Sequence, residues 1–232
     1  MKPTRTALMA LAAAWGLALS MSAQAQSFTN LDFESANFDR NGGMFVDWSL
    51  AAPGWQHSAG NDTSIVYWRQ THIGGSQIYL LESASESFGS KPWIEGEYGM
   101  YFRSGVERGS DWNSPWINAY LAQTGLVAAG TQSIRLIARG PSGFEVSLDG
   151  TPIALTAVGQ DEFVGDVSAF AGRVAELRIT DTVSRANNQF DGVHVDNIRF
   201  STSPVPEAGT LSLMLLGMGG LLGARRWRRP AR

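Results

Sequence analysis

The sequence predicts an all-β fold, a sandwich of short strands. Apolar and polar residues alternate, or β-branched residues cluster, in runs of five to seven, and Gly, Pro, Asn and Asp separate these runs. No stretch of ten residues between the two ends of the chain carries an apolar stripe at helical period. Segments of this length and spacing bury one face each, and two packed sheets are the simplest way to cover those faces.

In chain order the strand candidates are Phe28–Phe33, Ser64–Trp68, Gln77–Leu81, Tyr98–Arg103, Ile117–Leu121, Gln132–Ala138, Phe144–Leu148, Val174–Thr180 and His194–Phe200. The clearest hairpin runs from Phe144 to Leu155, because Asp149-Gly150 supplies the positive-φ pair that right-twisted strands favour at a two-residue turn. Ser201–Pro206 reads as an extended spacer, since its prolines resist both helix and central strand. No internal repeat is present.

The two ends differ in kind from the middle. Lys2 and Arg5 precede an apolar run from Ala7 to Leu19, and Ala23-Gln24-Ala25 has the small-x-small pattern of a signal-peptidase site with Gln26 as the first mature residue. Residues 1–25 are therefore read as a signal peptide and 26–203 as one β-sandwich domain. At the other end, Ala208–Ala224 is 17 residues without charge, interrupted only by Thr210 and Ser212. As a helix it covers about 25 Å, slightly short of the roughly 30 Å hydrocarbon core. Arg225, Arg226, Arg228 and Arg229 follow it, so the positive-inside rule places the arginines in the cytoplasm and the domain across the inner membrane.

Composition narrows the partners. Cysteine is absent, so an exported domain holds itself by packing or by a metal rather than by disulfides. With the signal peptide and tail set aside, residues 26–207 carry a net charge near −10, against −3 for the whole chain. A surface this acidic argues against nucleic acid and favours neutral glycans or cations.

Val205-Pro206-Glu207-Ala208, an apolar span and a terminal arginine cluster together resemble the PEP-CTERM sorting signal of Gram-negative bacteria, with Ala208 where that family has a second proline. The resemblance implies that residues 204–232 are read by an exosortase-type membrane enzyme near Pro206-Glu207, and that the domain then passes to the cell surface or an exopolysaccharide matrix. An uncleaved C-terminal anchor is the alternative. Four further motifs resemble galactose-binding-like jelly rolls, the fold of many carbohydrate-binding modules: Asn30-Leu-Asp-Phe-Glu34, Pro53-Gly-Trp55, Gly165-Asp-Val-Ser-Ala-Phe-Ala-Gly172 and Val195-Asp-Asn-Ile-Arg-Phe200. That likeness implies first and last strands lying side by side, with a structural calcium where they meet and Glu34 and Asp196 as its carboxylate ligands. The alternative for both acids is to satisfy turn amides or to face water.

Six tryptophans fall in the first half of the domain. Sugar rings stack their C–H faces on exposed indoles, so Trp112 and Trp116, in the loop-rich Gly109–Trp116 stretch, are the platform candidates, with Asp111 and Asn113 placed to bond hydroxyls. Trp55 after Pro53-Gly54 is a third. Trp48 and Trp68 lie beside apolar runs and read as core. His57, His72 and His194 show no zinc-ligand spacing, and no nucleophile elbow or phosphate loop is present. The chain is thus expected to be non-catalytic. Three roles stay open: a glycan-binding module, a structural matrix protein and, behind them, a carbohydrate-active enzyme.

Overall fold

The computed structural model describes residues 26–58, 65–68, 75–83, 94–106, 113–140, 143–182 and 192–206. The expected signal peptide, residues 1–25, and the expected sorting region from Glu207 onward lie outside the described residues. The chain builds β1 (Phe45–Asp47), a one-turn helix α1 (Trp48–Ala51), β2 (Gln56–Ser58), β3 (Ile65–Trp68), β4 (Gln77–Glu82) and β5 (Tyr98–Arg103). Next come β6 (Gly105–Val106), β7 (Trp116–Ile117), β8 (Tyr120–Leu126), β9 (Ser133–Arg139), β10 (Phe144–Leu148) and β11 (Thr151–Pro152). The last strands are β12 (Leu155–Ala157), β13 (Glu162–Asp166), β14 (Val174–Asp181) and β15 (Val193–Ser201).

Alternation along these strands produces a sandwich. One sheet has the order β1-β3-β4-β5-β15-β9-β13-β12 and the other β11-β10-β14-β8-β2, with β6 and β7 forming a separate ribbon. The ladders are antiparallel apart from β3 with β4. In β14 every second residue is buried, and Ala175, Leu177 and Ile179 meet Ile134, Leu136, Met100 and Phe102 of the facing sheet in one apolar cluster. Burial of such side chains stabilises the fold by about 1.5–3 kcal/mol each.

The expected hairpin is present: Leu148 pairs with Thr151, and Asp149 and Gly150 take φ values of 47° and 72°. Its second strand is shorter than the pattern suggested. After Ile153, whose N–H still reaches the Val146 carbonyl at 2.8 Å, the chain crosses to the other sheet as β12, where Leu155 pairs with Gly165.

One predicted strand is absent. Within Phe28–Phe33, Asn30 and Phe33 have φ values of 50° and 59°, so the segment coils over the sandwich. Side-chain bonding favours the coil: Asn30 Oδ1 accepts the Ser35 N–H at 2.9 Å and its amide donates to the Pro53 carbonyl at 3.2 Å. Phe33, fully buried, fixes the bend from inside.

The sandwich has two distinct ends. At one, Ser201 pairs with Ser133, β8 turns into β9 through Val127–Gln132, and Ser27 bridges Leu126. Both termini of the domain therefore leave from this end. At the other end lie the β9–β10 and β12–β13 connections, the start of β15 and the β6–β7 ribbon, tied to β14 where Asp181 accepts the Ser104 N–H at 2.6 Å.

Candidate functional site

The motifs that opened and closed the domain in sequence meet in space. Ile198, next to the irregularity between Asp196 and Arg199, donates its N–H to the Leu31 carbonyl at 2.9 Å, which lays the opening coil against β15. Glu34 Oε1 accepts the N–H groups of Glu97 and Tyr98 at 2.8 and 2.9 Å. Asp196 accepts the Glu95 N–H at 2.7 Å and the Asn197 N–H at 2.6 Å, and the Asn197 amide bonds the Glu95 carboxylate. Three distant parts of the chain are thus clasped by carboxylates on turn amides. Gly96 sits at the centre with φ 91°, and a β-carbon there would stand 2.4 Å from Glu34 Oε1.

The clasp is electrostatically crowded. Burial, opposed by the two amide hydrogen bonds and helped by the Glu34 and Glu95 charges, pushes the Asp196 carboxyl up to about 7. The chemistry of this set suits a hard cation, because both amides on Glu34 go to Oε1 and each Asp196 oxygen accepts one amide and keeps a second lone pair. Among the described residues, however, no group of three or more His, Cys, Asp and Glu side chains is arranged to hold a metal ion. The geometry on view is the amide-satisfying one.

The tryptophan candidates separate. Trp55 is 4% exposed, its indole N–H donates to the Asn30 carbonyl at 2.8 Å, and its ring lies 5.3 Å from Phe33. It is a core residue that locks the opening coil and offers no face to a ligand, which corrects its reading as a platform. Thr29 closes against the preceding Gly54, at φ 88°. Trp48, expected in the core, is there, bonded to the Trp55 carbonyl at 2.7 Å and packed 4.1 Å from His57. Trp116 is half-buried in β7 at the loop end, and Asn113 nearby is exposed. Asp111 and Trp112 lie outside the described residues.

A second arrangement was not read from the sequence. Register places Tyr79, Tyr101, His194 and Arg139 in one row across β4, β5, β15 and β9, on the sheet face turned away from the core cluster. The Tyr79 and Tyr101 rings meet tilted at 5.4 Å, and Tyr101 meets His194 at 4.6 Å. Burial holds the His194 imidazole down to about 4, and the Arg139 charge presses it lower. The available signal was the pattern Gln-Ile-Tyr-Leu-Leu-Glu in β4, where tyrosine occupies a position that alternation assigns to polar residues.

Of the residues expected to form a sorting motif, Val205 and Pro206 are described and Glu207, Ala208, Arg225, Arg226, Arg228 and Arg229 are not. Of the residues expected at a cleavage site, Gln26 is described, and its carbonyl accepts the Leu126 N–H at 2.8 Å, while Ala23 and Ala25 are not. The spacer is less free than its prolines suggested: Ser133 Oγ donates to the Ser203 carbonyl at 2.6 Å, and Pro204–Pro206 line a shallow groove with Gln132, Asp166 and Ser168.

No protein-family model and no curated protein matches the sequence. Among solved structures, the chain is similar to TmCBM61, determined in complex with β-1,4-galactotriose, at 12% identity and a TM-score of 0.37, over 76% of this chain and 97% of that one. It is also similar to the enzymatically active domain of tailspike protein 4 from bacteriophage CBA120, at 11% identity and a TM-score of 0.36, over 76% of this chain. The match spans about a fifth of the tailspike chain, 21%.

Proposed function

We propose that the chain is an exported, non-catalytic β-sandwich that binds glycan at the cell surface or in an exopolysaccharide matrix. In this reading signal peptidase removes residues 1–25, and an exosortase-type enzyme acts near Pro206-Glu207 after the Ala208–Ala224 span has held the precursor in the inner membrane. The observation that carries export and sorting is the order of motif, uncharged span and arginine cluster. The fold supports the arrangement, since the C-terminal spacer leaves from one end of the sandwich while Trp116 and Asn113 sit at the other. A chain tethered at its C-terminus then turns its half-buried indole outward, where a sugar face can stack on it.

Glu34 and Asp196 are proposed as ligands of a structural calcium. The burial that raises Asp196, with Glu34 and Glu95 adding to it, supports this, because a divalent cation would offset the cost of the buried carboxylate and bind the opening coil to the last strand.

The glycan reading is tested by retention of the full chain on polysaccharide extracted from the producing cell. Retention that weakens in Trp116→Ala favours the binding module, and no retention on any glycan favours a structural matrix protein. Turnover of a glycan, abolished by one carboxylate substitution, would replace both with a carbohydrate-active enzyme.

A further inference from the structure

The sandwich opens at the corner where the edge of each sheet meets the loop end. There β10, near the edge of the smaller sheet, and β13, next to the edge of the larger one, bring Phe144 and Phe163 edge to face at 5.2 Å. Both rings, with Leu155, sit at inward-facing positions yet remain half-exposed, because the sheets part instead of closing over them. The result is a cleft of about 690 Å³. Its floor is apolar and its rim carries Arg139, Gln160 and Asp161. The rim is set by backbone bonds: the Asp161 carbonyl accepts the Ala138 N–H at 2.8 Å, and the Val158 N–H reaches the Glu162 carbonyl at 2.9 Å across the turn.

We infer that this cleft binds a neutral sugar unit of a glycan, a site separate from the Trp116 indole. The volume lies within the roughly 300–1,000 Å³ range of small-ligand clefts, and an apolar floor with a few convergent polar groups is their usual lining. A pyranose matches both halves, with C–H groups against the Phe144 and Phe163 rings and hydroxyls donating to Asp161 and accepting from Gln160. Asp161 is the one carboxylate of the lining and disfavours an anionic sugar, while the apolar floor disfavours a cation. An acyl chain fits worse, since it would cover the Gln160 amide and Asp161 carboxylate without hydrogen-bonding them. The cleft also lies at the end opposite the spacer at Ser203, so a C-terminally held domain presents it away from the membrane. This inference rests on the glycan-binding reading and adds the place and the ligand's charge to it.

The test uses the full chain in a detergent without a sugar headgroup, titrated with galactose, glucose, mannose and their β-linked disaccharides by calorimetry. Asp161→Ala, at the solvent side of the cleft, is the first variant and Phe144→Leu the second, with the melting temperature confirming that each folds. The expected result is binding of at least one neutral saccharide that weakens about tenfold or more in both variants and stays within about twofold in Val174→Ala, an exposed position at the spacer end of β14. Saccharide binding that persists in Asp161→Ala and Phe144→Leu but is lost in Trp116→Ala overturns the cleft and leaves the glycan reading standing. Failure of every saccharide and of the extracted polysaccharide to bind overturns both.

Discussion

Replacing Gly96 by alanine tests the carboxylate clasp with a single methyl group. The new β-carbon would stand 2.4 Å from Glu34 Oε1 and 2.7 Å from its Cδ, so the Glu34 side chain has to withdraw and release the Glu97 and Tyr98 amides. Hydrogen bonds to charged groups contribute about 1.5–3 kcal/mol each, and the partial exposure of this pair argues for the low end, about 3 kcal/mol together. The left-handed backbone at φ 91° adds about 1 kcal/mol for a residue with a β-carbon. A loss of about 4 kcal/mol lowers the melting temperature of a domain this size by roughly 8–16 °C. Gly130 is the control, with φ 82° and nothing within 4 Å of an added β-carbon, so Gly130→Ala pays the backbone term alone, roughly 2–4 °C. The assay is thermal unfolding by circular dichroism in chelator. The double variant Glu34→Ala/Gly96→Ala should lose only the backbone contribution, roughly 2–4 °C, beyond Glu34→Ala alone, since the obstructed side chain is then gone. Equal melting temperatures for Gly96→Ala and Gly130→Ala would refute the reasoning.

Other expectations follow from the same structure. His194 stays neutral in the fold, with its pKa near 4 against 6.5 unfolded, so its contribution is full above pH 6.5 and is lost as pH falls toward 4. Asp196 behaves oppositely: raised to about 7 from 3.8, it favours the fold below pH 3.8, and that contribution disappears as pH rises through 7. The two slopes, on the order of 3 kcal/mol each, offset one another in chelator, so His194→Gln should unmask a stability that falls from pH 4 to pH 7; a flat profile in that variant would contradict the Asp196 assignment. Calcium should raise the melting temperature at pH 7.5 and have no such effect in Asp196→Asn, and an unchanged wild-type melt removes the ion from the account. Trp55→Phe, which keeps the ring packing but drops the N–H to Asn30, should cost about 1–2 kcal/mol in urea unfolding and leave glycan retention unaltered. Weakened retention in that variant would return Trp55 to the binding surface.

Long strands were legible because each buries one face over several turns of the pleat. β9, β10, β14 and β15 all fall within a few residues of runs that alternation marks, and Asp149-Gly150 marks the hairpin turn by its chemistry. The two- and three-residue strands β1, β2, β7 and β11 are too short to show a period, and only the neighbouring strand defines them. The Phe28–Phe33 run failed for a different reason: Asn30 side-chain bonds and the buried Phe33 override its strand propensity. Pairing of Glu34 with the Glu95–Tyr98 turn joins residues more than 60 apart and leaves no local trace. Trp55 shows the limit of reading a binding residue from loop context, since the positive-φ turn at Gly54 aims its indole into the core. The Phe144–Phe163 cleft depends on how far two sheets splay at one corner, which no spacing in the sequence records.

The central claim is that the sandwich is made as a precursor and freed from both of its ends. Intact-mass analysis of the protein recovered from the surface or matrix of its own cells tests it most directly. The account predicts a chain beginning at Gln26 and ending near Pro206-Glu207. A recovered chain that still carries Arg232 would contradict the sorting step, and one that also keeps Met1 would contradict export itself.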